Sequence, residues 1–221
     1  MPAGYNGKIL RVNLSTGQIR VEEPGEKIYR QYLGGGALSL YYLLKEMQPG
    51  VDPLGPENVI VFCASVLTGS MPAPGMNKYT VAAKSPLSNG FAESEAGGWW
   101  APELKAAGYD AILIHGKAPQ PVYLWIHDGQ AELRDAAAFW GLPTAETEQA
   151  IRRELDDPGV RVASIGAAGE RLSPIAAILH DVNRAAARTG LGAVMGFKRL
   201  KAVAVRGTGR KQIADAKSLA A

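Results

Sequence analysis

Cysteine occurs once in 221 residues, at Cys63. One thiol cannot close an intramolecular disulfide, and an iron–sulfur cluster held by cysteines alone cannot be completed within this chain. Cys63 lies in an apolar run from Val59 to Ala64, where buried packing is the plain expectation. Histidine is scarce too, and His115, His127 and His180 have no metal-ligand spacing. Nowhere do about 18 apolar residues run together, so no membrane span is expected. Met1, Pro2, Ala3 and Gly4 do not open a basic region followed by a hydrophobic stretch, which makes a cytoplasmic chain the expectation. Excess charge of one sign is also lacking. A formal net charge of +3 gives no case for nucleic acid as a partner. No Gly-x-Gly-x-x-Gly opens a helix after a strand, and no phosphate-binding Gly-x-x-x-x-Gly-Lys-Ser/Thr occurs, so nucleotide binding has no motif behind it.

What is present is an ordinary globular composition, with 47% hydrophobic and 20% charged residues, long enough to bury a substantial core. The chain opens as a hairpin: residues 8–14 alternate, Ser15, Thr16 and Gly17 turn, and residues 18–22 return. Helices are expected at 26–33 and 37–47, separated by Gly34, Gly35 and Gly36. In the second, Leu40, Leu43, Leu44 and Met47 share one face. Strands are expected at 58–64, 78–84, 111–115, 122–126, 131–135, 161–165, 175–179 and 202–206. Further helices are expected at 99–107, at 144–155 with Thr144 as its cap, and near 190–199. Residues 68–75 and 85–98 read as loops.

Residues 104–116 and 197–207 follow one plan: a helix end, a tight turn, a strand and a glycine, each preceded by a glycine-rich loop. This is a weak sign of two similar halves. Many strands, short hairpins and few helices point to α+β with largely antiparallel sheets and flanking short helices.

Three loops place glycine beside polar or basic groups. One is Gly75, Met76, Asn77 and Lys78. The second is Glu93, Ser94, Glu95, Ala96, Gly97 and Gly98, and the third runs from Asn183 to Gly192 with Arg184 and Arg188. Glycine lets a backbone approach a ligand closely, helix N-termini attract anions, and arginine binds phosphate bidentately. From the residues alone, a seat for a phosphorylated ligand stands beside a plainer account: turn-forming glycines and solvated arginines. Trp99, Trp100 and Phe91, beside the second loop, are candidates either for an exposed docking surface or for the core.

Several blocks resemble the N-terminal domain of the tungsten-containing aldehyde:ferredoxin oxidoreductase family. They are residues 7–17 (Gly-Lys-Ile-Leu-Arg-Val-Asn-Leu-Ser-Thr-Gly), 51–58, 84–87, Gly97 and Gly98 with 103–111, Arg184 to Ala186, 192–196 and 200–205. They fall in order across roughly residues 5 to 207. The resemblance implies two sheet-containing halves about a pseudo-twofold axis, forming the base for a tungsten (occasionally molybdenum) bis-pterin. It implies backbone carbonyls of Glu95 and Ala185 as ligands to a magnesium ion bridging the pterin phosphates. Phosphate contacts would come from Lys78, Arg184 and Arg188, and Ala96, Gly97 and Gly98 would line the cofactor. The implied activity is oxidation of an aldehyde to a carboxylic acid, with electrons passed to ferredoxin.

The iron–sulfur ligands of that family lie in later domains, so the remaining domains or a separate subunit are implied partners, with homo-oligomerisation also in the family's repertoire. The domain is expected to fill residues 1–210, with 211–221 beginning a following helix or tail. Some positions depart from the family pattern. Glu95 and Ala96 stand where Asn-Ser is usual, Lys78 and Gly36 stand at arginine positions, and Ala187 and Thr189 replace glycines. The alternative these departures carry is a non-catalytic scaffold that kept the fold and lost the cofactor. A stand-alone enzyme acting on another small anion has no nucleophile–base pair behind it.

Overall fold

The computed structural model describes residues 1–70, 75–209 and 213–220. The opening hairpin, β1 (Ile9–Asn13) and β2 (Gln18–Glu22), forms as expected. It is followed by α1 (Glu26–Tyr32), α2 (Gly35–Glu46), β3 (Ile60–Ala64), β4 (Tyr79–Lys84), β5 (Phe91–Ala96), α3 (Trp100–Ala106) and β6 (Ala111–His115). Then come β7 (Val122–His127), β8 (Gln130–Asp135), a 3-10 turn (Ala137–Phe139), α4 (Thr144–Glu154), β9 (Arg161–Ser164), α5 (Ala167–Glu170), β10 (Ile178–His180), β11 (Arg184–Ala186), α6 (Leu191–Phe197), β12 (Leu200–Arg206) and α7 (Ala216–Ala220).

Two six-stranded sheets result, ordered β2-β1-β6-β3-β4-β5 and β11-β10-β9-β12-β7-β8. Reversing the second list puts each strand opposite the one six places earlier in the chain. The pairing types match as well. β1 and β6 are parallel, as are β7 and β12, and every other neighbouring pair is antiparallel. The two halves suggested by residues 104–116 and 197–207 are real, those segments being α3 with β6 and α6 with β12.

One shared core joins the halves. Leu10, Phe62, Val81 and Ile112 from the first sheet meet Leu124, Ala163 and Val203 from the second, with Leu104 of α3 and Leu191, Val194 and Met195 of α6 between them. The outer face of the first sheet is covered by α1 and α2 through Tyr29, Leu38, Tyr42 and Leu43. That of the second is covered by α4 through Ile151, with Phe139. Helices α3 and α6 are thus sandwiched, which explains why α6 carries no polar side chain and α3 only Glu103 and Lys105.

Several expectations need correction. The buried stripe of α2 is Leu38, Ser39, Tyr42 and Leu43, whereas Leu40 and Leu44 are exposed. The helical period was right and its phase was off, because serine and tyrosine pack inward here. α2 also begins inside the glycine run, at Gly35. Thr144 is the first helical residue of α4; Pro143 occupies the cap position and no side chain caps it. Residues 91–96 form β5 and residues 184–186 form β11, both within stretches expected to be loops. Cys63 is fully buried and free. Among the described residues no helix is long and apolar enough to cross a membrane. Residues 71–74 of the expected loop and the domain boundary expected at 210 lie outside the described residues.

Candidate functional site

The loops singled out by sequence converge where the two sheets meet edge to edge. β5 is the last strand of the first sheet and β11 of the second, and edge strands leave one row of backbone groups outside their ladder. β5 alternates strictly, with Ala92, Ser94 and Ala96 buried and Phe91, Glu93 and Glu95 exposed. Glu95 pairs with Thr80, so its side chain stands on the α2 face of the sheet. Beyond Ala96 the chain turns through Gly97 and Gly98 into α3. Gly98 has φ +116°, and a Cβ there would lie 2.6 Å from Asp181 Oδ2 and 3.1 Å from Arg184 Cγ. Only glycine allows that approach. Gly97, by contrast, has open space before it. From the other side, the Arg188 amide donates to Ser94 Oγ at 3.3 Å.

Glu95, Ala96, Gly97, Gly98, Arg184, Ala185 and Arg188 are therefore brought together. Arg184, Ala185 and Arg188 are exposed, and neither guanidinium has an ion-pair partner among the described residues. Lys78 joins the group but is engaged: its ammonium lies 3.3 Å from Glu95 Oε2. Both side chains are more than half exposed, so that pair is weak and open to exchange. Beside it lies a cleft of about 460 Å³ lined by Gly35, Ser65, Lys78, Tyr79, Thr80 and Glu95, among others. Sequence reasoning missed Ser65 and Thr80. Nothing in a strand-centre threonine separates a lining residue from a packed one.

Two expectations at the site change. α3 and α6 have seven residues each, and the Trp99 amide at the N-cap of α3 is already taken by the Asp181 carboxylate. Anion attraction has to come from side chains and edge-strand backbone. Of the three aromatic candidates, Trp100 is wholly buried while Trp99 and Phe91 are about half exposed. Phe91 closes an apolar groove of about 400 Å³ with Leu40, Leu44 and Met47.

Asp181 was also missed. It accepts the Trp99 amide at 2.6 Å and lies 3.2 Å from His180 Nδ1 and 3.4 Å from the Arg161 guanidinium. Burial alone would raise its carboxyl, but the bonds from His180 and the Trp99 amide hold it below the usual range. A phosphate-bearing group fits the free arginines, the open space at Gly97 and the edge backbone. Glu93 and Glu95 fit it only if a cation lies between, because carboxylate and phosphate repel.

The strand order and the paired loops define a two-half α+β domain whose halves meet along a seam. The model for the "aldehyde ferredoxin oxidoreductase, N-terminal domain" matches residues 9–207, and the chain belongs to that family. It is 51% identical over 212 residues to the tungsten-containing aldehyde ferredoxin oxidoreductase of Pyrococcus furiosus, covering 96% of this chain and 35% of that protein. It is 40% identical over 220 residues to the aliphatic sulfonate oxidoreductase, WOR-like subunit, of the same organism, covering 93% of this chain and 35% of that one. Among solved structures it matches the active site complex BamBC of benzoyl coenzyme A reductase with 1,5-dienoyl-CoA. That TM-score is 0.95 at 41% identity, over 98% of this chain and 33% of the other. The chain thus spans about a third of the length of the relatives it matches, and it corresponds to one part of proteins that have other domains.

Proposed function

We propose that this chain seats a tungsten or molybdenum bis-pterin, with a magnesium ion on its phosphates, in an enzyme that oxidises aldehydes to carboxylic acids and reduces ferredoxin. When bound, that group supplies the two-electron redox chemistry; the chain's own residues hold and orient it. Arg184 and Arg188 bind phosphate, Gly97 and Gly98 let the backbone come close, and the carbonyls of Glu95 and Ala185 hold the magnesium ion. Lys78 exchanges Glu95 for phosphate. The observation that carries this reading is the meeting of two unpaired arginines from one half with a glycine turn from the other.

The remaining domains, or a partner subunit, supply the cluster cysteines. Cys63 is no candidate, since burial pushes its thiol up to about 12. We place the domain at residues 1–210 with the following tail belonging to the next unit, in a cytoplasmic enzyme whose copies associate.

A second reading, a scaffold that no longer binds cofactor, has two observations in its favour. Lys78 is already paired with Glu95, and the Glu93 carboxylate lies so close to Gly36 that a Cβ there would be 2.0 Å from it. Elemental mass spectrometry and oxidised-pterin fluorescence on the anaerobically purified assembly decide between the two. Stoichiometric tungsten or molybdenum with pterin is expected. Their absence from the intact assembly leaves the scaffold.

A further inference from the structure

Among the contacts that hold the seam, two occupy equivalent positions in the two halves. The turn after β4 places Ser85, whose hydroxyl donates to the Thr189 carbonyl in the β11–α6 loop at 2.7 Å. The turn after β10 places Asp181, whose carboxylate accepts from the Trp99 amide in the β5–α3 loop at 2.6 Å. Each half thus grips the other half's strand-to-helix loop from the equivalent position. A glycine sits against each grip. Gly98 packs on Asp181, His180 and Arg184, and Gly190 packs on Pro86 and the Pro174 carbonyl.

The two grips differ in chemistry. Ser85 is neutral, and it also accepts the Leu87 and Ser88 amides of its own turn. Asp181 is charged, mostly buried, and supported by His180 and Arg161 from its own half. It stands in a turn where Asp181 and Val182 both have positive φ (+47° and +64°), just ahead of Arg184. A charged acceptor makes a stronger bond to an amide than a neutral one. The β5–α3 loop is therefore the more firmly placed of the two, and it is placed by the segment that also carries Arg184.

We propose that Asp181 is a positioning residue for the ligand seat. By holding the Trp99 amide it fixes the loop of Glu95 to Gly98 against Arg184, so that backbone from one half and guanidinium from the other present themselves together to one phosphate. The proposal rests on the seating function above. It assigns to Asp181 no contact with the ligand itself.

The test uses this chain and magnesium pyrophosphate as the probe, read by ligand-dependent thermal stabilisation, together with hydrogen exchange at the Trp99 amide. Asp181→Ala should weaken pyrophosphate binding at least tenfold and speed exchange at Trp99 selectively. Asp181→Asn keeps an oxygen for that amide and should recover most of both. Asp157→Ala removes a carboxylate that serves Arg206 and the Gly159 amide and shares no partner with the seat. It should leave both readouts unchanged.

Wild-type affinity and unaltered Trp99 exchange in Asp181→Ala would overturn the positioning role alone. So would equal losses in the alanine and asparagine variants, because a carboxylate needed only for its charge predicts no rescue. If Asp181→Ala does not fold, Asp181→Asn carries the test: near-native binding with near-native Trp99 exchange supports the role, and a tenfold loss with native exchange overturns it. Failure of the wild-type chain to bind pyrophosphate at all would instead overturn the seating function on which the proposal stands.

Discussion

The two halves solve the same buried-lysine problem in different ways. Lys105 at the end of α3 and Lys198 at the end of α6 occupy equivalent places, and each ammonium donates to the carbonyl of a glycine ahead of its half's first hairpin: Gly4 for Lys105 and Gly116 for Lys198, at 2.8 and 2.9 Å. In the first half Asp110 completes the site by pairing with Lys105, and it also accepts the amides of Asn6 and Gly7. In the second half no carboxylate among the described residues pairs with Lys198. The Pro56 carbonyl at 3.4 Å is its other acceptor, and burial lowers its ammonium to about 7. Strand order and pairing persist while side-chain chemistry drifts, because the ladder is set by alternation and burial and tolerates any partner that satisfies the polar atoms.

The comparison is sharpened most by removing its charged member. Asp110→Ala leaves Lys105 buried beside two unanswered amides, and breaking such a pair from one side costs about 3–5 kcal/mol. Urea unfolding should show that loss with an unchanged slope. A change below about 1 kcal/mol would mean that the first half tolerates a lone ammonium as well as the second does.

The outer layers differ in volume. Leu113 of β6 fills the space beneath α2, and on the second sheet the outward face of β12 carries the smaller Ala204 beneath the layer of α4. Leu113→Ala should destabilise by about 2–5 kcal/mol through the cavity it opens. Ala204→Leu should cost about 1–3 kcal/mol by overpacking. Thermal unfolding checks both, and a neutral Ala204→Leu would show the second layer to be loosely filled.

At the seam the halves contribute unlike cations. Arg184 of the second half is free, whereas Lys78 of the first is paired with Glu95. Arg184→Ala should therefore weaken magnesium pyrophosphate binding by about 1–3 kcal/mol. Lys78→Ala should weaken it by less, because that ammonium has to leave Glu95 before it can bind. Isothermal titration of both variants settles the ranking, and a larger loss for Lys78 would reverse the assignment.

Much of this was legible in the sequence, and the part that was not has a physical reason. β1, β3, β6 and β7 announce themselves through β-branched or alternating apolar runs. β5 reads Phe-Ala-Glu-Ser-Glu-Ala, with small residues inward and glutamates outward. It is a strand because β4 offers it a ladder across six positions. β11 has three residues and no pattern at all. These are the strands that carry the proposed seat, so the candidate site rests on glycines, arginines and family likeness, while its scaffold was read as loop. Asp181 carried no signal either. Its role depends on an amide 82 residues away that only the pairing of the halves brings near.

The last difference between the halves concerns Lys198 and pH. Its ammonium titrates near 7 in the folded chain, against about 10.4 when exposed in the unfolded one. Between these values the unfolded chain binds more protons than the folded chain, so stability rises with pH across that window. Below about 7 both states are protonated and the slope from this group vanishes. Lys198→Met keeps the side-chain volume and gives up two hydrogen bonds to carbonyls while removing the cost of burying a charge. At pH 7 it should therefore lie within about 1 kcal/mol of wild type. Its denaturation midpoint should stay flat from pH 7 to 8, below the range in which the unfolded chain's Cys63 thiol ionises, where the wild-type midpoint climbs. A climb of equal size in the variant would move the titrating group elsewhere, and with it the claimed difference between the two lysines.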